Sequence, residues 1–216
     1  GKGTADVSFD LLLCDFGRID ARELDVSAER ILRAKERWIH PAEPESAGRA
    51  EDFAAAARMA REAVTAVRGK ACRASEKTFF CGCADYRMTQ ASNADPEAKA
   101  FPEYMGARFG AKFAVCSKDP DEKEIAELVK CADGAGNIIF SSCNAHLFRG
   151  QLALAAALAE KGVPMTVAAL RNPYDLPLMP ENAALLAAFD YSRDSLAALA
   201  DVFSGGDCCG VMPVAL

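Results

Sequence analysis

The chain alternates between short apolar runs and longer stretches in which apolar residues recur every three or four positions. The runs at 137–142 and 164–170 are apolar on successive residues, which is typical of strands covered on both faces in a parallel sheet. The longer stretches have the period of amphipathic helices. The predicted strands are 77–83, 112–116, 137–142, 164–170 and 183–189, the predicted helices are 51–68, 96–109, 121–131, 150–161 and 195–203, and an apolar run at 211–216 ends the chain. This succession predicts a three-layer α/β/α sandwich around a doubly wound, mostly parallel sheet of the flavodoxin-like or Rossmann-like kind.

The first residues of the chain have a different organisation. An apolar run at 8–14 is followed by a stretch at 27–38 with helical periodicity. One strand and one helix bury little surface by themselves, so residues 1–38 are predicted to be the end of a preceding domain. Residues 39–50 have the proline, glycine and polar composition of a linker. The α/β domain is therefore predicted at 51–216, and Gly69 is expected to cap the C-terminus of its first helix.

Composition excludes several classes of function. The net charge is −6 and charged residues make up 26% of the chain. An acidic balance argues against nucleic acid as a partner, because phosphate binding requires clustered lysine and arginine. No apolar run approaches the length of a membrane span, so none is predicted.

The nine cysteines and two histidines do not have the spacing of a metal site. No two cysteines are spaced C-x-x-C, and the histidines lie far apart, so no metal is predicted. Cysteines within or beside apolar runs are expected to be buried thiols. Free thiols favour a reducing compartment such as the cytoplasm, or an anaerobic source, and the sequence leaves the compartment open. No phosphate-binding glycine motif or nucleophile elbow occurs, and no cofactor is predicted.

Polar side chains concentrate after the predicted strands. Ligands of doubly wound sheets bind outside the carboxyl ends of the strands. The candidate binding residues follow the strands 137–142 and 164–170, and they are Asn144, His146, Arg149, Arg171, Asn172, Tyr174 and Asp175. Because these two strands should be neighbours, their loops are expected to form one contiguous patch. Shorter polar loops at 85–87 and 190–192 should share the same edge.

Two interpretations of this edge remain open. In the first, the residues close loops and cap helices, with Asn144 and Asp175 satisfying backbone amides and Arg171 paired with Asp175. In the second, the edge is a surface that docks onto another domain or a ligand. His146 has no orienting carboxylate near it in the sequence, which is typical of a structural histidine.

Three segments resemble the C-terminal domain of glycoside hydrolase family 3, in its bacterial β-N-acetylhexosaminidase branch. They are NAHLFRGQ at 144–151, RNPYDL at 171–176 and GVMPV at 210–214. The last is similar to the family's G-K-L-P-V, with Val211 and Met212 in place of the usual Lys and Leu. In addition, 25–35 resembles the last helix of the family's N-terminal barrel.

The resemblance implies a parent hydrolase that removes terminal N-acetylhexosamine during cell-wall sugar turnover. In this branch the nucleophile Asp, the acid–base His with its Asp partner and a sugar-binding Lys-His pair lie on the barrel, and none of those motifs occurs here. No catalytic residue is therefore assigned, and the chain alone is expected to be inactive. The implied partners are the barrel domain and carbohydrate, and relatives can be exported.

Three functions stay in competition at this point. The first is a non-catalytic domain of a family 3 hydrolase, and the second is an independent flavodoxin-like module that binds a small ligand at the edge formed by Asn144, Arg149, Arg171 and Asp175. The third is a hydrolase for which this chain suffices. An upstream reading frame of barrel length would favour the first, a start codon adjacent to Gly1 the second, and activity of the isolated chain the third. The sequence leaves the exact sugar and the oligomeric state open.

Overall fold

The computed structural model describes residues 20–39, 50–84 and 99–215. The chain divides into two compact units, Gly1–Ala47 and Gly48–Leu216. The described part of the first unit contains helix α1 (Ala21–Trp38), and none of the residues of this helix is buried. It begins earlier than predicted because the carboxylate of Asp20 accepts a hydrogen bond from the backbone N–H of Arg22 and caps the first turn (2.9 Å). The predicted strand at 8–14 lies outside the described residues, and the predicted domain boundaries stay a prediction.

The second unit contains one mostly parallel sheet. Its strands are β1 (Thr65–Arg68), β2 (Thr78–Cys83), β3 (Lys112–Cys116), β4 (Asn137–Ser142), β5 (Met165–Ala169) and β6 (Ala184–Ala187). Its helices are α2 (Ala50–Ala63), α3 (Phe101–Phe109), α4 (Glu122–Cys131), α5 (Arg149–Ala159) and α6 (Arg193–Phe203), with a 3-10 helix at Pro173–Leu178. The strand order is β1-β6-β5-β4-β2-β3, and only β1 runs antiparallel to its neighbour. The three-layer α/β/α fold predicted from the sequence is confirmed.

Two apolar cores lie on the two faces of this sheet. Successive residues of β4 alternate between them: Ile138 and Phe140 pack with α4 and α5, whereas Ile139 packs with α3 and α6. The second core is the one between the sheet and helices α3 and α6, and it contains Phe80. The ring centroid of Phe80 lies 6.2 Å from that of Phe101 and 5.8 Å from that of Phe109. Burial on both faces explains why the strands are apolar on successive residues.

One predicted element is wrong. The helix predicted at 51–68 ends at Ala63, and its last residues form the edge strand β1. Val64, Thr65 and Val67 are β-branched, and Thr65 pairs with Ala187 of the distant strand β6. Gly69, with φ +68, follows this strand and does not cap the helix. The apolar run at the chain end forms no strand over its described residues; the N–H of Gly210 instead donates to the carbonyl of Val64 (2.9 Å).

Several cysteines occupy the interior as predicted. Cys81 and Cys116 are buried and carry free thiols, as do Cys72, Cys131, Cys208 and Cys209 at less buried or exposed positions. A hydrogen bond with the Cys81 thiol and burial raise the pKa of Cys116 well above its ordinary value. A protonated, enclosed thiol reacts poorly as a nucleophile. The compartment stays a prediction.

No helix among the described residues is both long and apolar enough to cross a membrane. Within the same ranges, no group of three or more His, Cys, Asp and Glu side chains is placed to hold a metal ion.

Candidate functional site

Asp175 lies at the centre of a hydrogen-bond network at the carboxyl edge of the sheet. Its side chain is fully buried, and its Oδ2 accepts a hydrogen bond from Ser142 Oγ at the end of β4 (2.9 Å). Its Oδ1 accepts from the backbone N–H of His146 (3.0 Å) and lies 2.7 Å from His146 Nδ1. Strands β4 and β5 are parallel neighbours, with Ser142 opposite Ala169. The predicted contiguity of the two strand-end loops is therefore confirmed.

The contact with Asp175 fixes the orientation of the His146 ring. A carboxylate has no proton to donate, so the imidazole carries a proton on Nδ1, which donates to Asp175. The imidazole is about one-quarter exposed, and Nε2 has no hydrogen-bond partner among the described residues. The expectation that His146 lacks an orienting carboxylate is wrong, because Asp175 becomes its neighbour only when β4 and β5 pair.

The predicted ion pair between Arg171 and Asp175 is wrong as well. Both carboxylate oxygens of Asp175 are occupied by Ser142 and His146. Arg171 is half-buried, and its guanidinium makes no ion pair with any residue that the structure describes. Asn172 closes the loop by accepting from the backbone N–H of Tyr174 (3.1 Å). Tyr174 itself is 51% exposed.

Asn144 and Gln151 build the loop after β4. Asn144 is buried, and its backbone has the left-handed conformation with φ 55. Asparagine tolerates this conformation better than most residues. Its carbonyl accepts hydrogen bonds from the N–H groups of Leu147 (2.9 Å) and Phe148 (3.3 Å). Arg149, exposed, begins α5. Asn144 thus closes its loop through its backbone carbonyl, and no hydrogen bond of its side chain caps the start of α5, so the expectation that the Asn144 side chain does so is wrong.

Gln151 is a buried residue that sequence reasoning did not single out. Its Oε1 accepts from the N–H of Cys143 (3.0 Å), and its Nε2 donates to the carbonyls of Cys143 (3.1 Å) and Lys118 (2.9 Å). It joins the loop after β4 to the loop after β3. The available signal was a lone amide in the first turn of an otherwise apolar helix.

The loop after β6 completes the described part of this edge. Asp190 Oδ2 accepts from the N–H of Ser192 (3.2 Å) and from Ser195 Oγ (3.1 Å). Partial burial raises the pKa of Asp190, but hydrogen bonds from Ser192, the Tyr191 backbone and Ser195 outweigh it and hold the pKa below its ordinary value. These contacts cap the start of α6. The polar loop at 85–87 lies outside the described residues.

This architecture is also found in solved structures of known proteins. No protein-family model matches the sequence, and no curated protein sequence does. Among solved structures, a glycoside hydrolase family 3 β-N-acetylglucosaminidase from Paenibacillus sp. str. FPU-7 matches with a TM-score of 0.71 and 23% identity, over 94% of this chain and 41% of that enzyme. The chain has the fold of part of a family 3 glycoside hydrolase.

Two further solved structures share this fold. A fungal multi-domain β-N-acetylglucosaminidase with a GCN5-related glucosamine N-acetyltransferase region matches with a TM-score of 0.62 and 18% identity, over 91% of this chain and 24% of that one. A β-glucosidase from Listeria innocua matches with a TM-score of 0.62 and 13% identity, over 89% of this chain and 32% of that one. The chain therefore spans less than half the length of each of these three enzymes.

In this family 3 fold, exposed apolar side chains flank the Asp175–His146 pair. Leu147, next to His146, is 59% exposed, and Tyr174, next to Asp175, is 51% exposed. We call His146, Leu147, Arg171 and Tyr174 the carboxyl-edge patch. An aromatic and a guanidinium beside apolar surface have the composition of a binding surface.

Arg171→Ala is expected to cost less than about 1 kcal/mol of folding free energy, because the guanidinium has no described ion-pair partner to lose. Arg68→Ala is the matched control. The Arg68 guanidinium donates to the carbonyls of Ala183 (3.1 Å) and Pro180, so this change should cost about 1.5–3 kcal/mol. Urea unfolding of both variants measures the difference. Equal losses would show that Arg171 is structural.

Proposed function

We propose that this chain is the non-catalytic C-terminal domain of a family 3 glycoside hydrolase of the β-N-acetylhexosaminidase type, and that residues 1–38 are the end of its barrel domain. The observation that carries the proposal is the agreement in fold with the Paenibacillus β-N-acetylglucosaminidase over 94% of this chain. The RNPYDL segment at 171–176, which resembles that branch, supports it from the sequence side. The parent enzyme would release terminal N-acetylhexosamine from cell-wall-derived sugar.

The chemistry of the carboxyl edge supports a non-catalytic role. Retaining hydrolysis uses a carboxylate nucleophile beside a separate acid–base group. Asp175 is fully enclosed and accepts hydrogen bonds through both oxygens, so it cannot attack an anomeric carbon. Within the described ranges, no second carboxylate contacts His146 or Asp175. Hydrolysis is therefore assigned to the barrel domain.

The carboxyl-edge patch is the surface we assign to the barrel. Leu147 and Tyr174 are more than half exposed although they lie beside a buried polar network. Tyrosine presents an apolar ring and a polar tip, which suits a partly wet interface. Contact with a second domain would cover this surface and hold the site loops in place.

The alternative function is an independent flavodoxin-like module that binds a small ligand. The parallel strands have the order β3-β2-β4-β5-β6, which is the flavodoxin-like order. Ligands of this fold bind where the strand order reverses, here between β2 and β4. Asn144 and Asp175, two of the four residues expected to form that edge, are buried in loop closure. The available polar groups are thus fewer than this alternative predicted.

The test is to express the coding region together with its upstream reading frame and, separately, this chain. The full product should hydrolyse 4-nitrophenyl N-acetyl-β-D-glucosaminide, and the chain alone should not. Turnover by the chain alone that survives repurification and disappears in His146→Ala would overturn the proposal. So would a start codon adjacent to Gly1 with no barrel upstream.

A further inference from the structure

We propose that a cavity at the amino edge of the sheet binds a small organic anion: Arg73 and Lys70 pair with its carboxylate or phosphate group, and its apolar part lies on the buried side chains of the cavity floor. The cavity has a volume of about 580 Å³ and lies between β1, β6, residues 69–73 and the end of α6. The inference does not depend on the proposed function, since all the lining residues belong to the second unit.

The cavity lies at the opposite edge of the sheet from the carboxyl-edge patch. Gly69 lies against Ala184, the first residue of β6. The carbonyl of Arg73 accepts a hydrogen bond from Nδ2 of Asn137, the first residue of β4 (2.8 Å). Both contacts place the cavity wall at the amino ends of parallel strands. A ligand there would leave the carboxyl-edge patch uncovered.

The backbone at Gly205 sets the position of the Arg73 guanidinium. A Cβ atom on Gly205 would overlap the guanidinium, so a side chain at this position would displace it. Gly205 also has φ +110, which glycine adopts readily and other residues rarely do. The guanidinium lies beside the carboxyl end of α6, where the helix dipole favours a cation. The fold therefore holds a positive charge at the cavity wall.

The two cations of this wall have no opposite charge to pair with. Neither the Arg73 guanidinium nor the Lys70 ammonium group forms an ion pair or a side-chain hydrogen bond with any residue that the structure describes. Asp207 is the carboxylate of the lining, and it is exposed and makes no ion pair with either cation. A guanidinium and an ammonium group side by side supply the donors that a carboxylate or a phosphate accepts.

The floor of the cavity favours a ligand with an apolar part. Leu186 and Val202 are buried members of the second core and line the cavity. Ala66 and Ala71 line it as well, and their short side chains leave the space open. Small-molecule sites combine a mostly apolar lining with a few polar groups that fix orientation. An inorganic ion would contact the two cations and leave this apolar surface unused.

The experiment is an amide NMR titration of the full 216-residue chain, labelled with 15N, with four probes. Phenyl phosphate and benzoate each join an anion to an apolar ring, and either should shift the amides of 69–73 and 205–208 saturably. The stronger of the two identifies the charged group. Phenol lacks the charge and inorganic phosphate lacks the ring, so both should bind at least about tenfold more weakly. Added salt should weaken binding, because exposed charges are screened.

Variants test the two parts of the site. Arg73→Met and Lys70→Met remove one charge while keeping a long side chain, and each should weaken binding about tenfold. Ala66→Leu fills the cavity without changing its charge and should abolish the saturable shifts. Lys123→Met on α4, on the other face of the sheet, is the matched control and should bind like the unchanged chain. So should Phe53→Ala, which removes an aromatic ring that is 66% exposed on α2.

Several results would overturn the inference. They are the absence of a saturable shift with both ring-bearing anions, equal binding of phenol, and shifts confined to amides outside 69–73 and 205–208. Equal losses in Arg73→Met and Lys123→Met would show a general charge effect and would also overturn it. Urea unfolding of each variant confirms that it is folded. Hydrolysis by the full-length enzyme tests the proposed function separately, so either proposal can fail alone.

Discussion

Asp175→Ala should lower the free energy of unfolding of this chain by roughly 2–5 kcal/mol, because it leaves buried donors without an acceptor. Ser142 Oγ, which is fully buried, and the backbone N–H of His146 would both lose their partner. Each orphaned donor costs about 1–3 kcal/mol. Urea unfolding should show a lower midpoint with an unchanged slope.

Asp201→Ala is the control for this change. Asp201 pairs with Arg61 (2.9 Å) on the surface, so its loss should cost less than about 1 kcal/mol. A cycle with His146→Ala adds a second check, since the double variant should lose less than the sum of the two single changes. If Asp175→Ala behaves like Asp201→Ala, the buried network does not stabilise the strand-end loops.

Phe80→Ala should cost about 3–5 kcal/mol, the range for truncating a fully buried phenylalanine. Phe80 has no exposed surface and contacts the rings of Phe101 and Phe109 from the middle of β2. Removal of its ring leaves a cavity between the sheet and α3. A domain of this size is stable by about 5–15 kcal/mol, so the loss is a large share of the total.

Phe53→Ala again provides the comparison, because this exposed ring on α2 should cost less than about 0.5 kcal/mol. Thermal and urea unfolding of the two variants decide the matter. Similar losses at Phe53 and Phe80 would mean that the second core does not have the packing described here.

The sequence determined the layer architecture of this protein. Strand β4 coincides with the apolar run that predicted it, Asn137–Ser142, and five of its six residues are buried. Helix ends also follow local rules: Ser192 caps α6, and Gly110, left-handed with φ 61, ends α3. These features depend on burial on both faces and on backbone geometry within a few residues, so a linear pattern records them.

The candidate site was predicted in position but not in its contacts. The two strand-end loops were expected side by side, since consecutive parallel strands are usually neighbours. The choice of partner for Asp175 was not accessible, because Arg171 lies close in sequence whereas His146 comes within reach only through the register of β4 against β5. The burial of Gln151 likewise depends on the loop after β3, which supplies the carbonyl of Lys118.

Only the tertiary structure decided the edge strand β1 and the role of His146. The residues of β1 continue a helical pattern, and their strand conformation depends on hydrogen bonds to β6, far away along the chain. The orientation of the His146 ring likewise depends on Asp175, a carboxylate that lies on another loop. Both features arise from pairing between distant segments, whose energy depends on register and neighbouring surfaces that no local run of residues contains.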